Sequence, residues 1–151
     1  NKDLKIIKYN IKNSANLKRI KTFAKNSDLI LFFASPKILN HSGNNFDKDY
    51  FNLIDNYNKT FINKILKDLK NKKIFYPSTF FLNSLGENKF VEYIKSKKLM
   101  EKYLKNIKIK CNFFIPRLPR FNTDQNIFNL SNDKVESILN FEKYLKKFEK
   151  V

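Results

Sequence analysis

Glycine is nearly missing from this chain, with 2 in 151 residues. A phosphate-binding loop needs several, because its backbone must approach the ligand with no Cβ in the way. No such loop is present. Tryptophan is absent, and histidine and cysteine occur once each. The lone Cys111 excludes an internal disulfide, which fits a cytoplasmic protein. Its place in an alternating apolar run makes it a small packed hydrophobe. One His, one Cys and scattered carboxylates do not make a metal site. His41, in a loop beside Gly43, reads as a surface residue. No apolar run approaches the ~20 residues that span a bilayer, and the N-terminus has no signal-peptide pattern.

Acidic residues are also scarce: 14 against 31 basic ones, for a net charge of +17. That excess invites a nucleic-acid partner. A blander source is an AT-rich coding sequence, since Lys, Asn, Ile, Phe and Tyr abound where Gly and Trp do not. The lysines read as scattered over helix faces, which argues against a nucleic-acid partner.

What is present is an alternation of elements. Leu4 to Ile11 alternates as a strand. Ser14 can cap a helix whose apolar positions are Leu17, Ile20, Phe23 and Ala24. Leu29 to Ala34 is continuously apolar, which suits a parallel strand covered on both faces. After a polar loop at 37–46, a long helix is predicted from about Asp47 to Asn71, and it can pair with its copy in a homodimer. Lys73 to Tyr76 is a short strand stopped by Pro77. A helix then runs to about Asn106. Ile107 to Ile115 alternates as another strand, broken by Pro116 and Pro119. Residues 117–130 form an irregular loop, and Ser131 caps a last helix with Val135, Ile138, Leu139, Leu145 and Phe148 inward. That helix could instead lie on an anionic membrane; the core reading is preferred. The 42% hydrophobic content and 151 residues fit one domain, 1–151. The order β-α-β-α-β-α-β-loop-α predicts an α/β fold, a doubly wound parallel sheet with helices on both faces. Ligands bind such sheets beyond the carboxyl ends of the strands.

One pattern there points to chemistry. Tyr93 and Lys97 stand four apart on the third helix and so share a face. Ser78-Thr79 closes the strand upstream. A phenol, an ammonium and a hydroxyl facing one another form a proton-transfer apparatus. A free phenol has a pKa near ~10, and a nearby ammonium lowers it.

These residues in this order resemble the short-chain dehydrogenase/reductase superfamily, and more closely its extended epimerase/dehydratase branch. The likeness rests on the strand Asp28 to Ala34, Asn56 with Thr60 on the long helix, Ser78-Thr79, Tyr93-x-x-x-Lys97, and Pro116-Arg117-Leu118-Pro119. It implies an NAD(P)-dependent oxidoreductase, epimerase or dehydratase acting on a small-molecule alcohol or carbonyl, such as a sugar nucleotide. Tyr93 would be the acid/base, with Thr79 (slightly favoured) or Ser78 holding the reacting oxygen. Lys97 would tune Tyr93 and hold the nicotinamide ribose, and Asn56 would prop the site. Ala34, Ser35, Pro116 and Arg117 would line the cofactor. Arg117 or Arg120 would meet an anionic part of substrate or cofactor, since the guanidinium fork suits phosphate or carboxylate.

The resemblance begins about two βα units late, roughly 60 residues if each takes ~30. The expectation is therefore a partial, Rossmann-like fragment whose pyrophosphate site lies elsewhere. The residue that selects NAD or NADP follows the family's second strand, in the part that the likeness does not cover. Two other functions remain: a non-catalytic NAD(P)-binding or regulatory protein on the same fold, and a basic nucleic-acid-binding domain.

Overall fold

The computed structural model describes residues 5–38, 46–83, 90–119 and 138–150. Helix α1 (Ser14–Lys25) is capped by Asn13, whose side chain accepts from the Asn16 amide at 2.9 Å, so the cap lies one residue before the expected Ser14. Strand β1 (Leu29–Leu31) follows. Helix α2 (Lys48–Thr60) is capped by Asp47, whose carboxylate accepts from the Tyr50 amide. It widens into a π-helical turn at Phe61–Leu66. Then come β2 (Lys73–Phe75), β3 (Ser78–Thr79), a 3-10 turn at Phe80–Asn83, α3 (Val91–Asn106), β4 (Asn112–Phe114), β5 (Arg117–Leu118), a 3-10 turn at Ile138–Phe141 and α4 (Glu142–Glu149).

Three strands make a parallel sheet in the order β1-β2-β4, with Leu29, Lys73 and Asn112 in one row. Pro77 and Pro116 interrupt the ladder, as residues without an N–H must. It resumes as the parallel pair β3-β5, joined across the break by the Ser78 amide donating to the Pro116 carbonyl at 2.8 Å. The side chains alternate accordingly. Ile30, Phe32, Ile74, Tyr76 and Phe113 face α1, the π turn and α3, where Leu17, Ile62, Leu66 and Met100 complete the main core. Phe75 and Phe114 face the other way and meet Phe148 of α4 at 5.4 and 6.0 Å between ring centroids. Helices thus cover both faces, and the expected α/β, doubly wound parallel architecture is what the chain adopts.

Several expectations change. The strand expected over Ile107 to Ile115 forms a ladder only at Asn112–Phe114, and Arg117–Leu118, expected to open an irregular loop, pair as β5. Residues 5–10 form no ladder with the sheet. Their alternation survives only as packing: the Tyr9 ring stands edge-on to Phe32 at 5.5 Å and its hydroxyl donates to the Tyr57 carbonyl. Among the described residues β1 is left partly open on one face, with Leu31 37% exposed and Phe33, just past the strand, 52%. The long helix does not stay regular to Asn71; Asn71 itself has φ 58° and turns the chain toward β2. Gly43, His41, Gly86, Arg120, Ser131 and Val135 lie outside the described residues, as do the side chains of Ile138 and Leu139.

Candidate active site

Beyond the carboxyl end of β2, the chain from Pro77 through β3 packs against α3. The first residue of that helix follows Phe90, which holds a left-handed conformation (φ 62°) and packs against Phe81 at 5.8 Å. A non-glycine residue in that region is uncommon; here ring packing holds it. Glu92, 3% exposed, accepts from the Asp47 amide at 2.7 Å and so ties the start of α3 to the start of α2.

Lys97 is the centre of the site. It is 7% exposed, and its Nζ donates to the Pro77 carbonyl at 2.7 Å. That carbonyl belongs to the peptide bond leading into Ser78. The same Nζ stands 4.6 Å from the Tyr76 ring centroid and 5.7 Å from that of Tyr93. A cation over two aromatic faces is partly compensated for its lost water. Burial nevertheless dominates, lowering the Lys97 pKa to about 7 against the weaker pull of Glu101, one turn along. The amine is thus divided between charged and neutral forms near neutrality.

Tyr93 behaves differently from the expectation. Its pKa is not lowered by Lys97 but pushed up to about 12, by burial first and then by the neighbouring Tyr50. The ammonium lies over the ring, so its effect on the phenol oxygen is outweighed by desolvation. Tyr50 in turn donates to the Lys37 carbonyl at 2.8 Å, bringing the segment after β1 into the same neighbourhood.

The two hydroxyls differ. Adjacent strand residues point to opposite faces, and Ser78 shares the parity of Tyr76, toward α3. Its Oγ is buried and, among the described residues, has no hydrogen bond of ordinary geometry. It still lies close enough to Glu101 to help hold that carboxylate below its usual range, after the larger effect of Arg117. Thr79, also buried, accepts from the Phe81 amide at 3.4 Å and so braces the 3-10 turn.

Arg117 is already engaged. Its Nε and Nη2 hold the two Glu101 oxygens at 3.0 and 2.8 Å, and Nη1 donates to Asn83. The fork expected to meet an anion is filled from within, and it fastens β5 to α3. Pro116 is buried, whereas Ser35 is exposed and turned onto the Pro36 carbonyl. Ala34 is half-buried against the main core.

Asn56 is exposed on α2. The buried amide is Asn58, two residues on and 3% exposed. It accepts from the Tyr76 hydroxyl at 2.6 Å and donates to the Ile54 carbonyl at 3.0 Å and to Ser96 Oγ at 3.4 Å. Sequence reasoning passed over Asn58 although it falls four residues after Ile54 and four before Ile62, on the inward stripe. This network fixes the Tyr76 ring on which Lys97 rests.

No protein-family model matches the sequence, and no curated protein matches it significantly. Solved structures do. A short-chain dehydrogenase from Burkholderia cenocepacia in complex with NADP superimposes with a TM-score of 0.62 at 13% identity, covering 86% of this chain and 60% of that one. The fold is that of the short-chain dehydrogenases. A second such dehydrogenase, from Salmonella enterica, gives 0.59 at 10% identity, over 87% of this chain and 63% of the other. A protein described as a D-mannonate oxidoreductase from Haemophilus influenza, with bound NAD, gives 0.51 at 17% identity, over 93% and 61%. The chain therefore spans about 60% of the length of these three proteins. Among the described residues no helix is long and apolar enough to cross a membrane, and no group of three or more His, Cys, Asp or Glu is placed to hold a metal.

Proposed function

We propose that the chain carries the proton-transfer half of an NAD(P)-dependent oxidoreductase, of the reductase or epimerase/dehydratase type, acting on a carbonyl or alcohol. One observation carries the reading: a buried lysine is bonded to the carbonyl that precedes Ser78-Thr79 while it lies against the ring of Tyr93. The bound dinucleotide would supply or accept hydride. The nicotinamide-ribose half fits Lys97, Ala34 and Ser35 at the strand ends. The pyrophosphate half finds no glycine-rich turn in the sequence.

With its pKa near 12, Tyr93 stays protonated at neutral pH, so it works first as an acid. It gives its proton to a substrate carbonyl oxygen, and the phenolate left behind is stabilised by the protonated form of Lys97. Ser78 or Thr79 orients the oxygen. Asn58, rather than Asn56, holds the floor of the site through Tyr76. A non-catalytic cofactor-binding protein is the second reading, favoured by the closed Arg117–Glu101 pair.

The test is oxidation of NADPH and NADH by the chain against a panel of ketones and sugar nucleotides, with cofactor binding followed by fluorescence. Tyr93→Phe is expected to abolish turnover and leave cofactor affinity within about twofold, since the phenol acts on the substrate oxygen. Full turnover in Tyr93→Phe would end the catalytic reading. Binding without turnover in the unmodified chain would establish the second.

A further inference from the structure

The net charge is not spread evenly over the fold. In a parallel α/β sheet every helix ends at the edge where the strands begin. Four segments meet at that edge: 21–28 at the end of α1, 67–73 before β2, 105–110 between α3 and β4, and 147–150 at the end of α4. They carry eleven lysines against three acidic residues, so 25 of 151 residues hold nearly half of the +17. A uniform compositional bias toward lysine does not concentrate charge in this way.

The segments are physically joined. Lys72 Nζ donates to the Lys25 carbonyl at 2.8 Å and Lys21 pairs with Asp68 at 2.6 Å. The Asn71 amide donates to the Lys110 carbonyl at 2.7 Å, and Lys73 Nζ donates to the Glu149 carbonyl at 3.1 Å. Part of the charge has a local use, because each helix C-terminus carries about −0.5 of partial charge. Lys72 and Lys73 serve it directly. Lys67, Lys70, Lys108 and Lys110 are exposed beyond that need.

We propose that this edge is a docking surface for a nucleic-acid backbone, bound through phosphates and not by base sequence. The choice over an anionic membrane rests on what the edge lacks. Membrane adsorption of a folded surface draws on inserted apolar side chains as well as charge, and none of the large exposed hydrophobic residues, such as Ile6, Phe33 or Leu99, falls in the four segments. Stacking on bases would need exposed aromatic rings, which these segments also lack, so the contact is with phosphate. The surface lies at the opposite end of the strands from Lys97 and Tyr93, and nucleic acid there would leave the candidate active site open.

The test is fluorescence anisotropy with a labelled DNA duplex of about 20 base pairs and mixed sequence, over a series of salt concentrations. Neutralising Lys67, Lys70, Lys108 and Lys110 to Gln should cut affinity at least tenfold and flatten the slope of log K against log salt by about 3.6, from about 0.9 per lost phosphate contact. A control with Lys8, Lys12, Lys98 and Lys102 changed to Gln alters the net charge equally and should keep most of both. Equal losses in the two variants would mean attraction by total charge alone and would overturn the proposal. So would no binding by the unmodified chain near physiological salt, or tighter binding to phosphatidylserine vesicles than to the duplex. All eight positions are exposed, and circular dichroism of each variant confirms that the fold is kept.

Discussion

Replacing Lys97 by Met tests the buried amine directly. The ordinary lysine value is 10.5 and burial brings Lys97 to about 7, so between these values the unfolded chain holds a proton that the folded chain has lost. Stability must then rise with pH across that window and level off above it; below pH 7 both states are protonated and Lys97 adds no slope. The two values imply a gain of about 2 kcal/mol between pH 7 and 9. Met is unbranched and close in volume. It removes the titration, the bond to the Pro77 carbonyl and the cation over Tyr76, at a fixed cost of about 1–2 kcal/mol. Urea unfolding at pH 6, 7, 8 and 9 separates the two effects, because the fixed cost shifts every midpoint while the titration changes only the slope. With an m-value of about 2 kcal/mol/M, the unmodified chain should gain about 1 M in midpoint from pH 7 to 9 relative to Lys97→Met. Parallel midpoint curves over that range would refute the depressed amine, and with it the account of Lys97 as desolvated.

Tyr76→Phe keeps the ring under Lys97 but orphans the Asn58 carbonyl oxygen, and should cost about 1–3 kcal/mol in thermal or urea unfolding; no loss would mean that Asn58 is satisfied otherwise. Ser78→Ala removes a buried hydroxyl without a regular partner, so stability should change by less than about 0.5 kcal/mol. Turnover should fall if Ser78 orients the substrate and stay level if Thr79 does, which a steady-state assay reads. Glu101 has its pKa lowered chiefly by Arg117. Its contribution is present above the ordinary carboxylate value of 4.5 and is lost as pH falls through the lowered one. Glu101→Gln should therefore cost about 1 kcal/mol at pH 7 and remove part of the acid-side decline, measured by urea midpoints from pH 3 to 6.

The fold was legible where burial is one-sided and continuous. Leu29 to Phe32, Ile74 to Tyr76 and the stripe through Tyr50, Ile54, Phe61, Ile65 and Leu69 all announce their elements by periodicity. Residues 5–10 misled because alternation reports which side chains are buried, not whether the backbone finds a ladder partner. The placement of Lys97 followed from i, i+4 spacing and the strand-end serine. Its protonation did not, because desolvation depends on Tyr76 and Pro77 closing over it, which no local pattern specifies. Asn56 came from the resemblance and not from the helix phase: with 3.6 residues per turn, two positions separate an amide facing water from the inward amide of Asn58. The engagement of Arg117 by Glu101 joins β5 to α3 across 16 residues, and sequence alone gives no distance between them.

The π turn at Phe61–Leu66 carries a rule for change in this protein. A wide turn accommodates one surplus residue, and each residue is worth about 100° of rotation. Tyr50, Ile54 and Asn58 before it and Phe61, Ile62, Ile65 and Leu66 within it all stay buried, and Asn58 and Phe61 both reach the cluster around Tyr76. Deleting one residue within the turn would relax it to an ordinary α-helix and leave the flanking parts nearly in place, whereas a deletion in α2 ahead of it would turn the preceding half by about 100° and carry Ile54 off the core.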